Sequence, residues 1–390
     1  MIEIKQKKDC CGCHACISAC AHQAITMRRD SEGFLYPMVD EDLCTNCGLC
    51  EQVCPVIHQA SSRQPMKVYA AKSNNEELRR QSSSGGVFTL LAEAVIHDGG
   101  VVFGARFDEQ WNVVHSWTET LDGLAAFRGS KYVQSTIGNS YKEAKEFLRQ
   151  GRKVLFTGTP CQIAGLKKSL RKDYDNLLTV DIVCHGVPSP LVWQKYIDEM
   201  RTKGDIVDVS FRDKTYGWAQ YGFSLSYVSP AANASESLER HTSLFPRSEN
   251  IFMRGFLADL YLRPSCHACP SRSGKSCSDI TLGDFWGVKS VHPVMNDDKG
   301  CSAVLIHSTK GQMVYDMLLK DDVESAYEYL LAENPSLEHD PKYTKYARQF
   351  WQQFSRQGLG CVLPICKRKD ALNLKNQYYK IKRALLGLFK

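Results

Sequence analysis

The sequence predicts an α+β / α/β protein in two parts, a small cysteine-rich module followed by a larger mixed α/β body. Three observations predict it. Nine of the 17 cysteines fall between Cys10 and Cys54, so composition sets the first part apart. The polar stretch Gln59-Ala60-Ser61-Ser62-Arg63-Gln64-Pro65 then reads as a linker. Beyond it, buried-strand and helical patterns alternate to about residue 200, the order expected of parallel strands with covering helices.

Composition narrows the class further. With 390 residues, 43% hydrophobic and 24% charged, the chain is neither disordered nor collagen-like. No run approaches the ~18 apolar residues of a membrane span. The first residues, MIEIKQKKDC, offer no apolar core for a signal peptide, which predicts a cytoplasmic location. In a reducing compartment so many cysteines argue for metal ligation rather than disulfides. Net charge is +6, yet residues 367–390 carry eight Lys/Arg against one Asp, so the rest of the chain is close to neutral. That distribution disfavours a nucleic-acid partner, which needs a basic face on the folded domain.

In the module, Cys10-x2-Cys13-x2-Cys16-x3-Cys20 is followed by Cys44-x2-Cys47-x2-Cys50-x3-Cys54-Pro55. The doubled spacing is that of a bacterial two-cluster ferredoxin: three thiolates of each loop hold one cubane, and the fourth reaches the other cluster. Cys10, Cys13, Cys16 and Cys54 are therefore assigned to one [4Fe-4S] cluster, and Cys44, Cys47, Cys50 and Cys20 to the second. Four-cysteine zinc sites instead show two CxxC knuckles separated by a longer spacer. Ala21 replaces the proline expected after the first motif, without effect on ligation. Cys11 breaks the spacing and is read as a non-ligand.

In the body, Ser82-Ser83-Ser84-Gly85-Gly86 precedes a helical pattern over 87–97. A plain helix cap and an anion site for a cofactor phosphate fit these residues equally well. Residues 153–157 read as a buried strand, leading through Gly158-Thr159-Pro160 to Cys161 and a helix over 163–170. Residues 177–183 read as a second strand, ending at Cys184-His185-Gly186 and followed by a helical stretch to Met200. Strand, turn and helix twice over predict a βαβ unit, whose parallel strands would bring Cys161 and Cys184 to one sheet edge. From residue 200 shorter β-like segments follow, broken by a polar loop over 229–241. Cys266-x2-Cys269 fits a zinc half-site, a redox dithiol, or, with Cys161 and Cys184, a third [4Fe-4S] cluster. Buried cysteines also serve as inert packing, which is the reading for Cys277, Cys301, Cys361 and Cys366.

Six ordered motifs carry a likeness: Ser83-Ser84-Gly85-Gly86, Arg128-Gly129-Ser130-Lys131-Tyr132-Val133-Gln134, Gly158-Thr159-Pro160-Cys161-Gln162, Cys184-His185-Gly186-Val187-Pro188-Ser189-Pro190, Cys266-His267-Ala268-Cys269, and the run from Ser278 to Gly287. From about residue 67 to 320 the chain resembles the family of beta subunits of coenzyme F420 hydrogenase and dehydrogenase. The resemblance implies a flavin-binding body, with the third cluster on Cys161, Cys184, Cys266 and Cys269. It also implies FAD contacts among Ser84, Gly85, Gly86, Lys131, Tyr132, Gln134, Thr157 and Gly158. Cys277 stands where relatives more often carry a basic or polar residue, and it is left out of the ligand set.

The expected organisation is a ferredoxin domain over 1–60, an FAD-binding domain over 66–330, and a helical C-terminal region with a basic tail over 331–390. The expected function is a flavin-dependent iron–sulfur oxidoreductase. It would pass electrons between a hydride carrier (F420 or NAD(P)H) or small-molecule substrate and one-electron clusters, with a redox protein such as ferredoxin as partner. The alternative is a non-catalytic electron-transfer subunit of a larger hydrogenase- or dehydrogenase-type complex. Asp284 and His185 lie in motifs suited to acid/base work, but a turn cap and a backbone hydrogen bond explain them as well. Residues 372–390 read as an amphipathic helix that could meet a membrane surface, dock to a partner or pack on its own domain.

Overall fold

The structure, a computed structural model, describes residues 1–230 and 238–372. In the module, β1 (Ile25–Arg29) and β2 (Leu35–Val39) form an antiparallel hairpin. Its turn is closed by Asp30, whose Oδ1 accepts the N–H groups of Glu32 and Phe34 at 3.0 and 2.9 Å. Two short helices precede and follow the hairpin: α1 (Ala15–Ala19) and α2 (Leu49–Gln52). Each is entered through a left-handed residue directly after a motif cysteine, His14 (φ 64°) and Gly48 (φ 73°). Apart from Ile2, Ile25 and Val53, much of the module's buried interior is cysteine.

The body opens with β3 (Lys67–Ser73), α3 (Glu76–Gln81), α4 (Val87–His97), β4 (Val101–Phe107) and β5 (Val113–Thr118). Then come α5 (Ser140–Arg149), β6 (Val154–Gly158), α6 (Pro160–Leu170), β7 (Leu177–Ile182) and α7 (Pro190–Arg201). A second, antiparallel sheet follows, β8 (Asp205–Asp213), β9 (Gly222–Pro230) and β10 (Leu238–Pro246), with α8 (Ile251–Leu257) behind it. The chain returns to the main sheet through β11 (Ile280–Asp284), α9 (Val288–Val291), β12 (Ser302–Ile306), α10 (Thr309–Asp316) and β13 (Lys320–Ser325). It closes with α11 (Tyr327–Glu333), α12 (Lys345–Gln357) and further helix over 362–372.

The main sheet has the order β13-β3-β12-β11-β7-β6-β4-β5. Its centre is parallel, β4 with β6, β6 with β7 and β7 with β11, flanked by antiparallel strands. Both faces are covered, and the alternation along β6 shows how. Leu155 joins the core under α4, whereas Val154 and Phe156 join the core under α5 and α6. A strand buried on both faces reads as an unbroken apolar run, which is why 153–157 was legible. The largest core packs α7, α8, α12 and residues 362–366 against the second sheet.

Two boundaries differ from expectation. The helix after β6 begins at Pro160 rather than Ile163, because Thr159 supplies a capping box with Gln162 and proline suits the first helical position. That places Cys161 within the first helical turn. Of the expected polar loop over 229–241, both described ends are strand: β9 reaches Pro230 and β10 starts at Leu238, paired in register from Leu238↔Pro230 to Pro246↔Gly222, while 231–237 lie outside the described residues. Cross-strand pairing satisfies the backbone there although Leu238, Glu239 and Arg240 are exposed, so hydrophobic alternation gave no signal. The amphipathic pattern over 372–390 lies outside the described residues beyond Leu372. Among the described residues no helix is long and apolar enough to cross a membrane.

Candidate cluster and cofactor site

The first ferredoxin motif folds so that its thiols face Cys54, brought back after α2. Burial, together with the neighbouring Cys10 and Cys54 thiols, pushes the Cys16 thiol up to about 12. Cys13 is buried beside Cys10 and Cys16, and Gly12 N–H donates to Cys10 Sγ at 3.4 Å. Cys20 and Cys50 pack in the same small core, while Cys47 is exposed and Cys44 half-buried. Cys10 and Cys13 thus face the body, whereas Cys44 and Cys47 lie toward solvent.

The body brings its four cysteines together from three distant segments. Cys161 lies in the first turn of α6, and Cys184 just beyond β7. Cys266 and Cys269 sit in and after the short 3-10 turn Pro264–Ala268. All four line one cavity of ≈ 60 Å³. Burial and the proximity of the other three thiols hold Cys184 well above the ordinary thiol range, and burial pushes Cys266 to about 12 and Cys269 to about 11. Among the described residues no three His, Cys, Asp or Glu side chains converge on a point for a single ion. Thiols spread around a wall suit a cubane, in which each thiolate binds a different iron.

A fifth thiol lines this cavity: Cys11. Its buried side chain packs with Cys13 and against Cys161. Spacing placed Cys11 outside the ferredoxin ligand set but could not show that it joins the two thiol groups. Cys277 does not line the cavity; its carbonyl accepts Lys167 Nζ. Cys301, Cys361 and Cys366 are packed in apolar cores.

Beside the thiols lies a much larger cavity of ≈ 490 Å³ at the carboxyl edge of β6, β7 and β11, where open α/β sheets bind ligands. Ser84, Gly86, Lys131, Tyr132, Thr157 and Gly158 line it. Gly86 (φ 90°) enters α4 with no side-chain cap, leaving the helix's first N–H groups toward the cavity edge. Arg128 and Arg212 supply cationic wall, while burial lowers Lys131 to about 7, and its Nζ donates to the Ala126 and Arg128 carbonyls at 2.9 and 2.8 Å. Arg212 Nε is buried with no hydrogen-bond partner.

Two residues expected among the cofactor contacts do not line this cavity. Gly85 is turned into the sheet: its N–H donates to Ser302 Oγ at 2.9 Å, and a Cβ there would stand 2.3 Å from Ala71 O. Its glycine is required by close backbone approach. Gln134 points at the ferredoxin module, donating through Nε2 to Cys11 O at 3.0 Å. Asp284 is held by Arg212 at 2.5 and 3.1 Å and accepts Trp218 Nε1–H at 2.8 Å, so it serves as a buried counterion rather than a free acid. His185 lines the cavity with Nε2 2.6 Å from Asp259 Oδ1.

The description "Coenzyme F420 hydrogenase/dehydrogenase, beta subunit" matches in two parts, its N-terminal part over residues 68–141 and its C-terminal part over 151–328. A "4Fe-4S dicluster domain" matches 9–57. The chain belongs to the family of coenzyme F420 hydrogenase/dehydrogenase beta subunits. Among curated relatives, the coenzyme F420-dependent sulfite reductase of Methanocaldococcus jannaschii is 28% identical over 205 residues, covering 50% of this chain and 30% of that protein. One of the subunits of the F420H2 dehydrogenase of Methanosarcina mazei is 22% identical over 196 residues, covering 47% of this chain and 55% of that one. The match therefore spans about a third to a half of these relatives' length. A solved F420-reducing [NiFe] hydrogenase complex from Methanosarcina barkeri contains a chain overlapping 74% of this one and 88% of its own length, with 18% identity and a TM-score of 0.45.

With its dicluster domain, this member of the family is an iron–sulfur electron-transfer protein related to F420-linked oxidoreductases. Its module is locked to the body at three places. The hairpin turn sits on the start of α7, where Ser189 Oγ donates to Glu32 O at 2.5 Å and a Cβ on Gly33 would meet Leu191 Cβ. Gly165 of α6 faces Cys13, where a Cβ would lie 2.9 Å from Cys13 Cβ. Third, Arg263 reaches from the body to Cys10 O at 2.8 Å. Nothing in the sequence marked Arg263, an arginine three residues before the CxxC.

Proposed function

We propose that this chain is a flavin-dependent iron–sulfur oxidoreductase, exchanging electrons between a hydride carrier (F420 or NAD(P)H) and one-electron partners such as a ferredoxin. One observation carries the reading: the large cavity and the thiol cavity share the wall formed by Ile182, Val183, Cys184, Gly186, Val187 and Ser336. A two-electron site and a one-electron site with a common wall suit a converter between the two kinds of transfer. When bound, FAD would supply hydride chemistry, and the [4Fe-4S] clusters one-electron steps.

The large cavity is within the usual size of small-molecule sites. In this reading Ser84, Gly86 and the start of α4 meet phosphate through backbone N–H groups, and Arg212 adds charge. Lys131, Tyr132, Thr157 and Gly158 shape the remaining wall. Cys161, Cys184, Cys266 and Cys269 hold the third cluster; Cys10, Cys13, Cys16 and Cys54 hold the first ferredoxin cluster, and Cys20, Cys44, Cys47 and Cys50 the second. The domain limits proposed with it are 1–60 for the ferredoxin part, 66–330 for the flavin part and 331–390 for the C-terminal region with its basic tail. A cytoplasmic setting and contact of the basic tail with anionic lipid belong to the same proposal.

The test is anaerobic purification and cofactor analysis, then stopped-flow bleaching with reduced F420, NADH, NADPH and reduced ferredoxin in turn. Stoichiometric FAD and bleaching by one hydride donor are expected. FAD absent from anaerobically purified protein, with clusters reduced by ferredoxin alone, would instead support the electron-transfer subunit without its own substrate. The name of one relative as part of a dehydrogenase makes that the second reading.

A further inference from the structure

Arg263 is fully buried between the ferredoxin module and the body. Its Nε donates to Cys10 O at 2.8 Å, and Nη1 to Gln134 Oε1 at 2.9 Å. Its Nη2 donates to Leu35 O at 2.8 Å and to Cys10 Sγ at 3.6 Å. The guanidinium also lies over the rings of Tyr36 and Phe34, 4.4 and 5.4 Å from their centroids. These protein acceptors are carbonyls, an amide and sulfur; none is a carboxylate. A buried charge with only neutral partners carries a large desolvation cost, so such a charge calls for an anion. The anion available is the thiolate set beginning at Cys10. Gln134 orients the fork while donating its own Nε2–H to Cys11 O at 3.0 Å, so the arrangement is held from both sides.

We propose that Arg263 is a positioning residue that acts as fixed counterion to the first ferredoxin cluster and raises its reduction potential above that of the same cluster without the charge. The inference rests on the assignment of Cys10, Cys13, Cys16 and Cys54 as that cluster's ligands. Reduction adds one negative charge to the cluster, and a cation fixed nearby in a poorly polarisable interior stabilises the reduced form more than the oxidised one. Hydrogen bonds to ligand sulfur and net charge are recognised determinants of cluster potential, and Arg263 contributes both. Its position on the body makes the effect conditional on docking: the module has the charge beside its first cluster only while it is seated. Gly12 keeps this approach open, because a Cβ there would stand 2.7 Å from Arg263 Nη1.

The test uses the full chain purified anaerobically, with iron analysis and dithionite titration monitored by electron paramagnetic resonance. Arg263→Gln should retain its iron, while the potential of one cluster falls by the equivalent of at least tenfold in its reduction equilibrium, 59 mV for one electron. The cluster on Cys20, Cys44, Cys47 and Cys50 should keep its potential. Arg263→Lys, which keeps the charge without the fork, should stay within threefold of the unaltered chain. Unchanged potentials in Arg263→Gln overturn the proposal, as does a fall in Arg263→Lys as large as that in Arg263→Gln. If Arg263→Gln loses iron, Arg263→Lys decides alone: a tenfold fall with full iron rejects the role of charge. Failure of the ligand assignment shows separately, as an unaltered chain lacking a ferredoxin-type pair of clusters.

Discussion

At Cys161 a single thiol stands where the α/β body meets the ferredoxin module, in contact with Cys11 and on the wall shared with Cys184, Cys266 and Cys269. Cys161→Ala should remove one cluster and leave the two ferredoxin clusters, whose cysteines all precede the linker. If FAD binds as proposed, its reduction by a hydride donor should persist, while onward transfer to the ferredoxin clusters slows by orders of magnitude. Spectroscopy of the reduced variant should show two cluster signals; full iron and normal onward transfer would remove Cys161 from the ligand set. Asp284 belongs to the same scale. Its pairing with Arg212 is buried, Arg212 stacks over Tyr221 with its carbon 4.0 Å from the ring centroid, and Trp218 donates to the same carboxylate. Asp284→Asn should therefore lower stability by about 3 kcal/mol, because it strands a buried guanidinium. Chemical denaturation measures this; an unchanged midpoint would return Asp284 to the acid/base candidates.

Helix α6 shows how one element serves both parts of the molecule. Thr159 and Gln162 cap its start, fixing Cys161, and one turn later Gly165 lets Cys13 approach. In an open helix, glycine to alanine gains about 1 kcal/mol. Here the added methyl would meet Cys13 Cβ and Sγ and Tyr141 Oη at about 3 Å, so the sign reverses. Gly165→Ala should destabilise the module's seat and make iron more readily lost to a chelator, while far-ultraviolet dichroism stays near normal. Faster iron loss at unchanged helix content is the expected result; a stabilised holoprotein would refute it. Helix α4 carries a different lesson. Its span 87–97 was readable from periodicity, but the choice between cap and anion site was not, since it depends on which side of the sheet the first turn faces.

The whole molecule should carry about twelve iron and twelve sulfide per chain, four of each for each of three cubanes. Elemental analysis near eight, with full flavin, would leave the body cysteines as packing residues. Stability should also depend on pH through buried histidines. Burial lowers His115 to about 4 and His307 to about 3, against an ordinary 6.5. Between pH 6.5 and 4 the unfolded chain binds more protons than the native one, so stability falls as pH falls through that window. Each histidine contributes a slope of up to about 1.4 kcal/mol per pH unit. Urea midpoints measured from pH 7 to 5 should show the loss, and His115→Asn should flatten it; an equal slope in the variant would count against His115.

Local pattern was enough wherever the signal is carried by neighbours in the chain. The ferredoxin spacing is legible because a cubane takes three ligands from one tight loop. Strands β6 and β7 are legible because burial on both faces leaves continuous apolar runs, and the ordered motifs identified the family. What local pattern could not supply are meetings between remote segments. Only the tertiary structure turns Gln134 toward Cys11 rather than the large cavity, engages Asp284 with Arg212, and adds Cys11 to the body thiols. Arg263 had no periodicity or motif to betray it, since its role is set by the groups that fold around it. Such contacts depend on how the sheet, its helices and the module pack in three dimensions, where residues 253 positions apart, Cys10 and Arg263, share one hydrogen bond.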